Sequence, residues 1–373
     1  MLLSLEADRA IVAEKAARIF ELEAQIATLR SSIEVLSAAQ WSAQERLDSY
    51  KYPVLTLPNE IVSEIFQHSL PPYPTPLSLV GASVPTSLTQ ICRKWREVAH
   101  STPSLWRSIE LNGCTGDHQK QVVFMAGIWL ERSGSIPLSI QSSHPSTTSL
   151  LIPAIIGHTA RWEHITLSLN HSHQLLTIVD KPMPLLRTLY LNFHQNAHHP
   201  LVLENLPLLR TVMLDDFESP SVSLPWSQLT SLSLRNLHSQ ECMSILRQTQ
   251  CLVVCTLLMW TPLKSQSISV HSDSRVDVSL SFLETFVIEQ RSDVLAVGEE
   301  FISRLVTPTL CRLELPEDFL HWPGSVPTAS LKSFLSKSGC MLAELRITKA
   351  FVPEDIYRSA FSFVPSIHVL PYS

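Results

Sequence analysis

Leu186-Arg187-Thr188-Leu189-Tyr190-Leu191 is the hexapeptide on which the fold of this chain turns. Its leucines stand at i, i+3 and i+5. The same step recurs at Leu229-Leu232-Leu234 and Leu310-Leu313-Leu315. Looser versions are Trp162-Ile165-Leu167, Leu209-Val212-Leu214, Leu252-Cys255-Leu257, Leu283-Phe286-Ile288 and Leu342-Leu345-Ile347. The last two positions of each set alternate, as side chains on one face of a β-strand do. Segments between the sets, such as Ser239–Gln248, read as helices that return the chain to the next strand.

The sets begin about 20 to 32 residues apart, close to the period of leucine-rich repeats, which they resemble. That resemblance implies an irregular, leucine-rich-repeat-like α/β solenoid over residues 119–373, in which each unit buries its apolar side only by stacking on its neighbours. The family's asparagine, three residues after the last strand leucine, is replaced here by His194, Phe217, Leu237 and Trp260. A β-sandwich or propeller built from the same short strands is the competing arrangement, but it calls for plain alternation rather than the i, i+3, i+5 step. In a solenoid the non-leucine positions, among them Arg187, Thr188, Tyr190, Gln228, Ser231 and Ser233, are where a target protein is expected to be met.

Of 373 residues 45% are hydrophobic and 17% charged, with a net charge of −6. The chain therefore has apolar material for a large core, too little charge for general disorder, and no basic footprint for nucleic acid. Prolines number 25 and glycines 9, so segments are short and few turns need a positive φ. The 7 cysteines form no CxxC pair. They read as buried free thiols, Cys251 and Cys255 included, which points to a reducing compartment. Glu6, Asp8 and Arg9 interrupt any secretory pattern, and no apolar run reaches the length of a membrane span. The expected location is cytoplasmic, nuclear or both.

Residues 2–48 lack proline and glycine and are rich in strong helix formers. Residues 1–50 are therefore predicted to be one long helix. Ile19, Leu22, Ile26, Leu29, Ile33 and Leu36 alternate steps of three and four, the a/d seam of a coiled coil, and isoleucine at a with leucine at d favours a parallel pair. Asp8 and Lys15 at d and Gln40 at a weaken the seam outside this stretch. The same stripe also suits a helix folded back on the rest of the chain.

Residues 52–111 form a second unit. Leu57-Pro58-Asn59-Glu60 starts a helix, with Pro58 expected at the first helical position and Ile61, Val62, Ile65 and Phe66 as its apolar face. Leu70–Pro76 is a proline-stiffened connection. A single helix is then predicted from Ser87 to His100, with Leu88, Ile91, Cys92, Trp95, Val98 and Ala99 in one stripe. Thr102 is the expected N-cap of a turn begun by Pro103, and Leu105 and Trp106 should fold back on the stripe. Leu57-Pro58-Asn59-Glu60, Ile65-Phe66, Ile91-Cys92-Arg93-Lys94-Trp95-Arg96 and Leu105-Trp106 together resemble an F-box, of the kind found in the large F-box families of mushroom-forming fungi. The proline-rich link is about ten residues longer than the family pattern. An unrelated helical hairpin is the alternative.

The resemblance implies binding to the Skp-type adaptor of a cullin–RING ubiquitin ligase through Leu57, Pro58, Ile61, Ile65, Phe66, Ile91, Cys92, Trp95, Leu105 and Trp106. Trp95 is expected inside, and Leu57, Pro58 and Ile61 nearer the interface. The chain then reads as α+β and multidomain, a substrate receptor that tethers a target to the ligase. The alternative is a dimeric leucine-rich-repeat scaffold outside the ubiquitin system, dimerised through residues 12–47; both readings predict a dimer.

A search for chemistry returns nothing of comparable specificity. There is no phosphate-binding glycine loop, no G-x-S-x-G and no H-E-x-x-H. Asp215-Asp216 suits a solvated turn better than a cation site. His171, His173, His194, His198 and His199 would gather on one rim if the repeats stack, a conceivable Zn²⁺ or Cu²⁺ site, although exposed loop histidines explain them equally. No enzyme activity, cofactor, metal, nucleic acid or membrane partner is expected.

Overall fold

The computed structural model describes residues 2–49, 53–79, 85–111, 118–170, 178, 180–194, 201–216, 222–259, 277–290, 298–320 and 326–371. The chain divides into two compact units, Met1–Val62 and Ser63–Ser373. The division falls inside one helix, α2 (Asn59–His68).

The first unit is dominated by α1 (Leu2–Ser49). Its described side chains, from Asp8 to Ser49, are all exposed. Local contacts support it: Arg18 pairs with Glu21 at 2.5 Å, Gln44 donates to Asp48 at 2.8 Å, and Thr28 donates to the Ala24 carbonyl at 2.9 Å. The two side-chain pairs each contribute only about 0.2–0.5 kcal/mol, and the Thr28 back-bond adds nothing to that. The seam residues Ile26 and Ile33 remain 47% and 62% exposed.

The second unit is built on parallel strands: β1 (Ser108–Glu110), β2 (Leu138–Ser142), β3 (Trp162–Leu169), β4 (Thr188–Phe193), β5 (Leu201–Val202), β6 (Thr211–Asp215), β7 (Val222–Ser223), β8 (Ser231–Leu237), β9 (Val254–Met259), β10 (Val278–Ser279), β11 (Thr285–Gln290), β12 (Leu305–Val306), β13 (Arg312–Pro316), β14 (Glu344–Ala350) and β15 (Ser366–Pro371). Among the described residues, one eleven-stranded sheet runs β1-β2-β3-β4-β6-β8-β9-β11-β13-β14-β15. Two short pairs, β5–β7 and β10–β12, lie apart from it. Each strand of the large sheet thus pairs with the next one in the chain that joins it, without reordering.

The leucine step explains that order. Ile109, Ile140, Ile165, Leu189, Val212, Leu232, Cys255, Phe286, Leu313, Leu345 and Ile367 are register partners from strand to strand, and all are buried. A parallel row two residues on contains Leu167, Leu191, Leu214, Leu234, Leu257 and Ile288. The first residue of each set lies just before its strand, or in β3 opens it as Trp162, and is buried as well, Leu186, Leu209, Leu229, Leu283 and Leu310 completely. The residue after it donates its N–H to the unit before: Arg187 to Glu163, Arg210 to Arg187, Thr230 to Arg210, Val253 to Thr230, Glu284 to Val253, Cys311 to Glu284 and Ala343 to Cys311, at 2.7–3.0 Å. Polar backbone is thus paired at the entry of every strand in this series.

The returning segments vary. Ser239–Leu246 is the expected helix and buries Cys242, Met243, Ile245 and Leu246. Trp226–Gln228 is a single 3-10 turn. Pro327–Ser338 is a longer helix ended by Gly339 at φ 66°, where the left-handed backbone suits glycine. Several sequence expectations need correction. Gln228 is not a surface strand position: its amide donates to the Leu206 and Leu209 carbonyls at 2.6 and 3.0 Å, clamping one unit to the previous one. Ser233 is 9% exposed, whereas Thr188, Tyr190 and Ser231 are half-buried and Arg187 exposed. Cys255 is buried and its thiol is pushed well up by that burial, but Cys251 lies exposed in the turn before the strand.

Near the last strands, Glu317 is completely buried. Its carboxylate accepts from the Phe351 and Val352 N–H groups and from the Tyr357 hydroxyl, the last at 2.7 Å. Burial and this carboxylate push the Tyr357 hydroxyl far up. The Glu317→Ala variant strands those donors and is expected to lose about 3 kcal/mol of stability. Glu317→Gln, which keeps one acceptor oxygen, should lose clearly less. Urea unfolding midpoints of the two variants check the order.

Candidate partner-docking module

A 3-10 turn, Pro53–Thr56, precedes α2. The Pro58 carbonyl accepts the Val62 N–H at 3.1 Å, so Pro58 stands immediately before the helix rather than at its first position. Glu60 lies in the first turn, where it favours the helix dipole. The apolar residues of α2 divide into two i, i+4 pairs. Val62 and Phe66 are buried at 1% exposure each, while Ile61 and Ile65 are 50% and 47% exposed. The expected single apolar face is therefore two adjacent ones, one inward and one outward.

The predicted helix from Ser87 to His100 is broken. It consists of α3 (Leu88–Ile91) and α4 (Arg93–His100), separated by Cys92 in extended backbone at φ −155° and ψ 171°. Cys92 caps α4: its Sγ accepts the Trp95 N–H at 3.4 Å and its carbonyl accepts the Arg96 N–H at 3.0 Å. Arg96 Nε in turn donates to the Thr89 carbonyl of α3 at 2.7 Å. The break resets the helical phase, so Leu88, Val98 and Ala99 are buried while Ile91 is 60% exposed. Thr102 does not cap the following turn, Pro103–Trp106; its hydroxyl donates back to the Val98 carbonyl at 2.7 Å.

The aromatic residues anchor the module from within. Trp95 is half-buried and meets Phe66 edge-on at 5.0 Å between ring centroids. Leu105 and Trp106 are completely buried. The Trp106 indole donates to the Ala99 carbonyl at 2.8 Å and packs edge-on against Trp129 at 5.3 Å. The residues expected at a partner interface thus divide: Pro58, Ile61, Ile65 and Ile91 are exposed, Leu57, Cys92 and Trp95 intermediate, and Phe66, Leu105 and Trp106 belong to the core.

The proline-rich link is part of the architecture. Leu77 accepts the Glu110 N–H at 2.8 Å, and Ser78 bridges to Glu110 in parallel, beside β1. Ser108 Oγ donates to the Thr75 carbonyl at 2.7 Å and Ser139 Oγ to the Pro74 carbonyl at 2.8 Å. Tyr73 is held on three sides. Its hydroxyl donates to Glu163 at 2.9 Å, the Arg107 guanidinium lies 3.7 Å above its ring, and His164 meets it edge-on at 5.4 Å. Burial first, then Glu163, pushes the Tyr73 hydroxyl far up; burial pushes His164 down. The link so covers the edge of β1, which would otherwise offer unpaired backbone groups. Sequence reasoning missed this because prolines erase periodicity.

Of the proposed histidine rim, His171, His173, His198 and His199 lie outside the described residues, and His194 is exposed. Among the described residues no group of three or more His, Cys, Asp or Glu side chains is arranged to hold a metal. Asp215 instead accepts the Asn236 amide at 2.8 Å, and Asp216 occupies a turn at φ 54°. The two faces of α2 should respond differently to truncation. Phe66→Ala is expected to cost about 3 kcal/mol and Ile65→Ala under about 1 kcal/mol, read as shifts in the thermal unfolding midpoint.

An F-box-like family model matches residues 54–112, from the 3-10 turn through β1. No curated protein matches the chain. The buried Phe66 and Trp106, the half-buried Trp95 and the outward isoleucines of α2 fall within this segment. The chain therefore carries an F-box-like domain at residues 54–112.

Proposed function

We propose that the protein is a substrate receptor of a Skp–cullin–F-box ubiquitin ligase. The F-box-like domain would hold the Skp-type adaptor, and the outward face of the parallel sheet would hold a target protein. The observation that carries this reading is the family match over a segment whose helix keeps Ile61 and Ile65 half-exposed at i, i+4. Burying that pair against partner helices gains about 25 cal/mol per Å² of apolar surface.

The receptor supplies no bond chemistry in this reading. It raises the effective concentration of a target near the ligase's conjugating enzyme. Its place of action is the cytoplasm, the nucleus or both, where the partners meet. A leucine-rich-repeat-like solenoid is supported by the continuous inward rows of Leu, Ile, Val, Cys and Phe. Its outward rows change character along the sheet. Thr188, Thr211 and Ser231 are register partners on one side; on the other, Arg312, Glu314, Glu344 and Arg346 pair among themselves at 3.5–3.8 Å. The first of these, with Tyr190 and Met213 in the next row, is the better ground for a target because its Thr, Ser, Tyr and Met positions are not tied into an ion-pair network.

We also assign α1 to a parallel homodimer. Its seam is uncovered, and Arg18 and Glu23 occupy the g and e positions that meet across a parallel pair. The Ile26→Asp, Ile33→Asp variant is expected to sediment as a monomer where the wild type sediments as a dimer. A wild type that sediments as a monomer at every concentration tested would remove this assignment. A dimeric scaffold outside the ubiquitin system shares that prediction, so adaptor binding separates the two readings. Co-purification with a Skp-type adaptor is expected for the wild type. It should fall about tenfold or more in Ile65→Glu and in Leu57→Ala plus Pro58→Ala, with the unfolding midpoint unchanged in Ile65→Glu. A wild type that never retains the adaptor ends the proposal.

A further inference from the structure

A cleft of about 520 Å³ lies between the end of α2, the proline-rich link and the turn that leads into β1. This is within the range of small-ligand sites. Its lining includes Gln67, His68, Tyr73, Thr75, Ser104 and Arg107. Among the described residues no acidic side chain lines it. Two carboxylates touch its lining residues, and both are partnered: Glu64 faces His68 at 3.3 Å, and Glu163 is taken by the Tyr73 hydroxyl at 2.9 Å and by Arg187 at 3.0 Å.

Arg107 is the distinctive group. It is half-buried, and its guanidinium is stacked 3.7 Å over the Tyr73 ring. Its backbone is fixed at the sheet edge, where its carbonyl accepts the Ser139 N–H at 2.9 Å. Among the described residues its N–H donors meet no acceptor. By contrast Arg187, Arg235, Arg312 and Arg346 each have a carboxylate within 3.8 Å, and Arg161 and Arg210 donate to backbone carbonyls. Stacking restricts the guanidinium plane before any ligand arrives, so little side-chain freedom remains to be lost when its fork is filled. The side chains of Gln67, Thr75 and Ser104, which border the same space, likewise make no hydrogen bond among the described residues. Donors without a partner among the described residues thus border a cleft that has a fixed cation, an aromatic wall and, among those residues, no acidic lining group.

We propose that this cleft is an oxyanion-binding site anchored by Arg107, which takes a phosphate or carboxylate group bidentately while the remaining volume, walled by Tyr73 and Pro72, receives the body that carries it. Its anion comes either from a free small molecule or from a residue of a polypeptide, and the two sources are separable by titration.

The test is isothermal titration of the full chain, at constant ionic strength, with inorganic phosphate in one arm and N-acetyl-phosphoserine amide in the other. Saturable binding is expected in at least one arm. Tighter binding of the phosphoserine amide assigns the anion to a polypeptide, and equal or tighter binding of inorganic phosphate assigns it to a free anion. Arg107→Met, which keeps an apolar stem over Tyr73 but has no fork, should weaken binding about tenfold or more. Thr75→Val plus Ser104→Ala, which leaves the Arg107–Tyr73 stack in place, should weaken it by a smaller factor and serves if Arg107→Met fails to fold. No saturable binding in either arm, or unchanged affinity in a folded Arg107→Met or in the double variant, overturns the proposal.

Discussion

The second unit depends on the backbone hydrogen bonds that pass from one strand entry to the next. Each residue after the leading apolar position, from Arg187 to Ala343, donates to the preceding unit. This bond sets the register, and register decides everything downstream in a sheet whose side chains alternate. A slip of one residue would turn the inward rows outward on that strand. Ile165, Leu189, Val212, Leu232, Cys255 and Phe286 share one row only because their strands start level. The rows then bury each strand's apolar face against its neighbours' faces, which no isolated unit can do.

The F-box-like domain rests on a different constraint, the division of a short helical module between packing and display. A segment of this size buries only part of its apolar surface. In α2 the split falls between adjacent residues, Val62 and Phe66 inward and Ile61 and Ile65 outward. The break at Cys92 makes the same separation in the second half. Extended backbone at one residue lets Val98 and Ala99 pack while Ile91 stays at the surface. Cys92 is thus a capping residue, a role that depends on its sulfur and carbonyl as acceptors and not on redox chemistry.

The proline-rich link joins this domain to the sheet. Proline lacks a donor, so such a segment is unsuited to a central strand. Beside β1 it needs only a few pairings, which Leu77, Ser78 and the Ser108 and Ser139 hydroxyls supply. Tyr73, held by Glu163, Arg107 and His164, ties the link to β3 as well. The longer connection is therefore structural material that closes a sheet edge.

The residues alone determined the long α1 helix, the helical F-box pattern and the repeating leucine step, because each is a local periodicity carried by side-chain type. Leu57-Pro58, Trp95 and Leu105-Trp106 were legible for the same reason. The tertiary structure decided three things that periodicity does not contain. It broke the Ser87–His100 helix at Cys92, since a backbone excursion of one residue leaves the composition of the stripe unchanged. It placed Gln228 as a clamp between units and Glu317 as a buried acceptor, since a polar residue's burial depends on donors supplied by distant residues. It also brought Gln67, Tyr73, Thr75 and Arg107 around one cleft, because a chain turned back by prolines carries its contacts in three dimensions and not in its spacing.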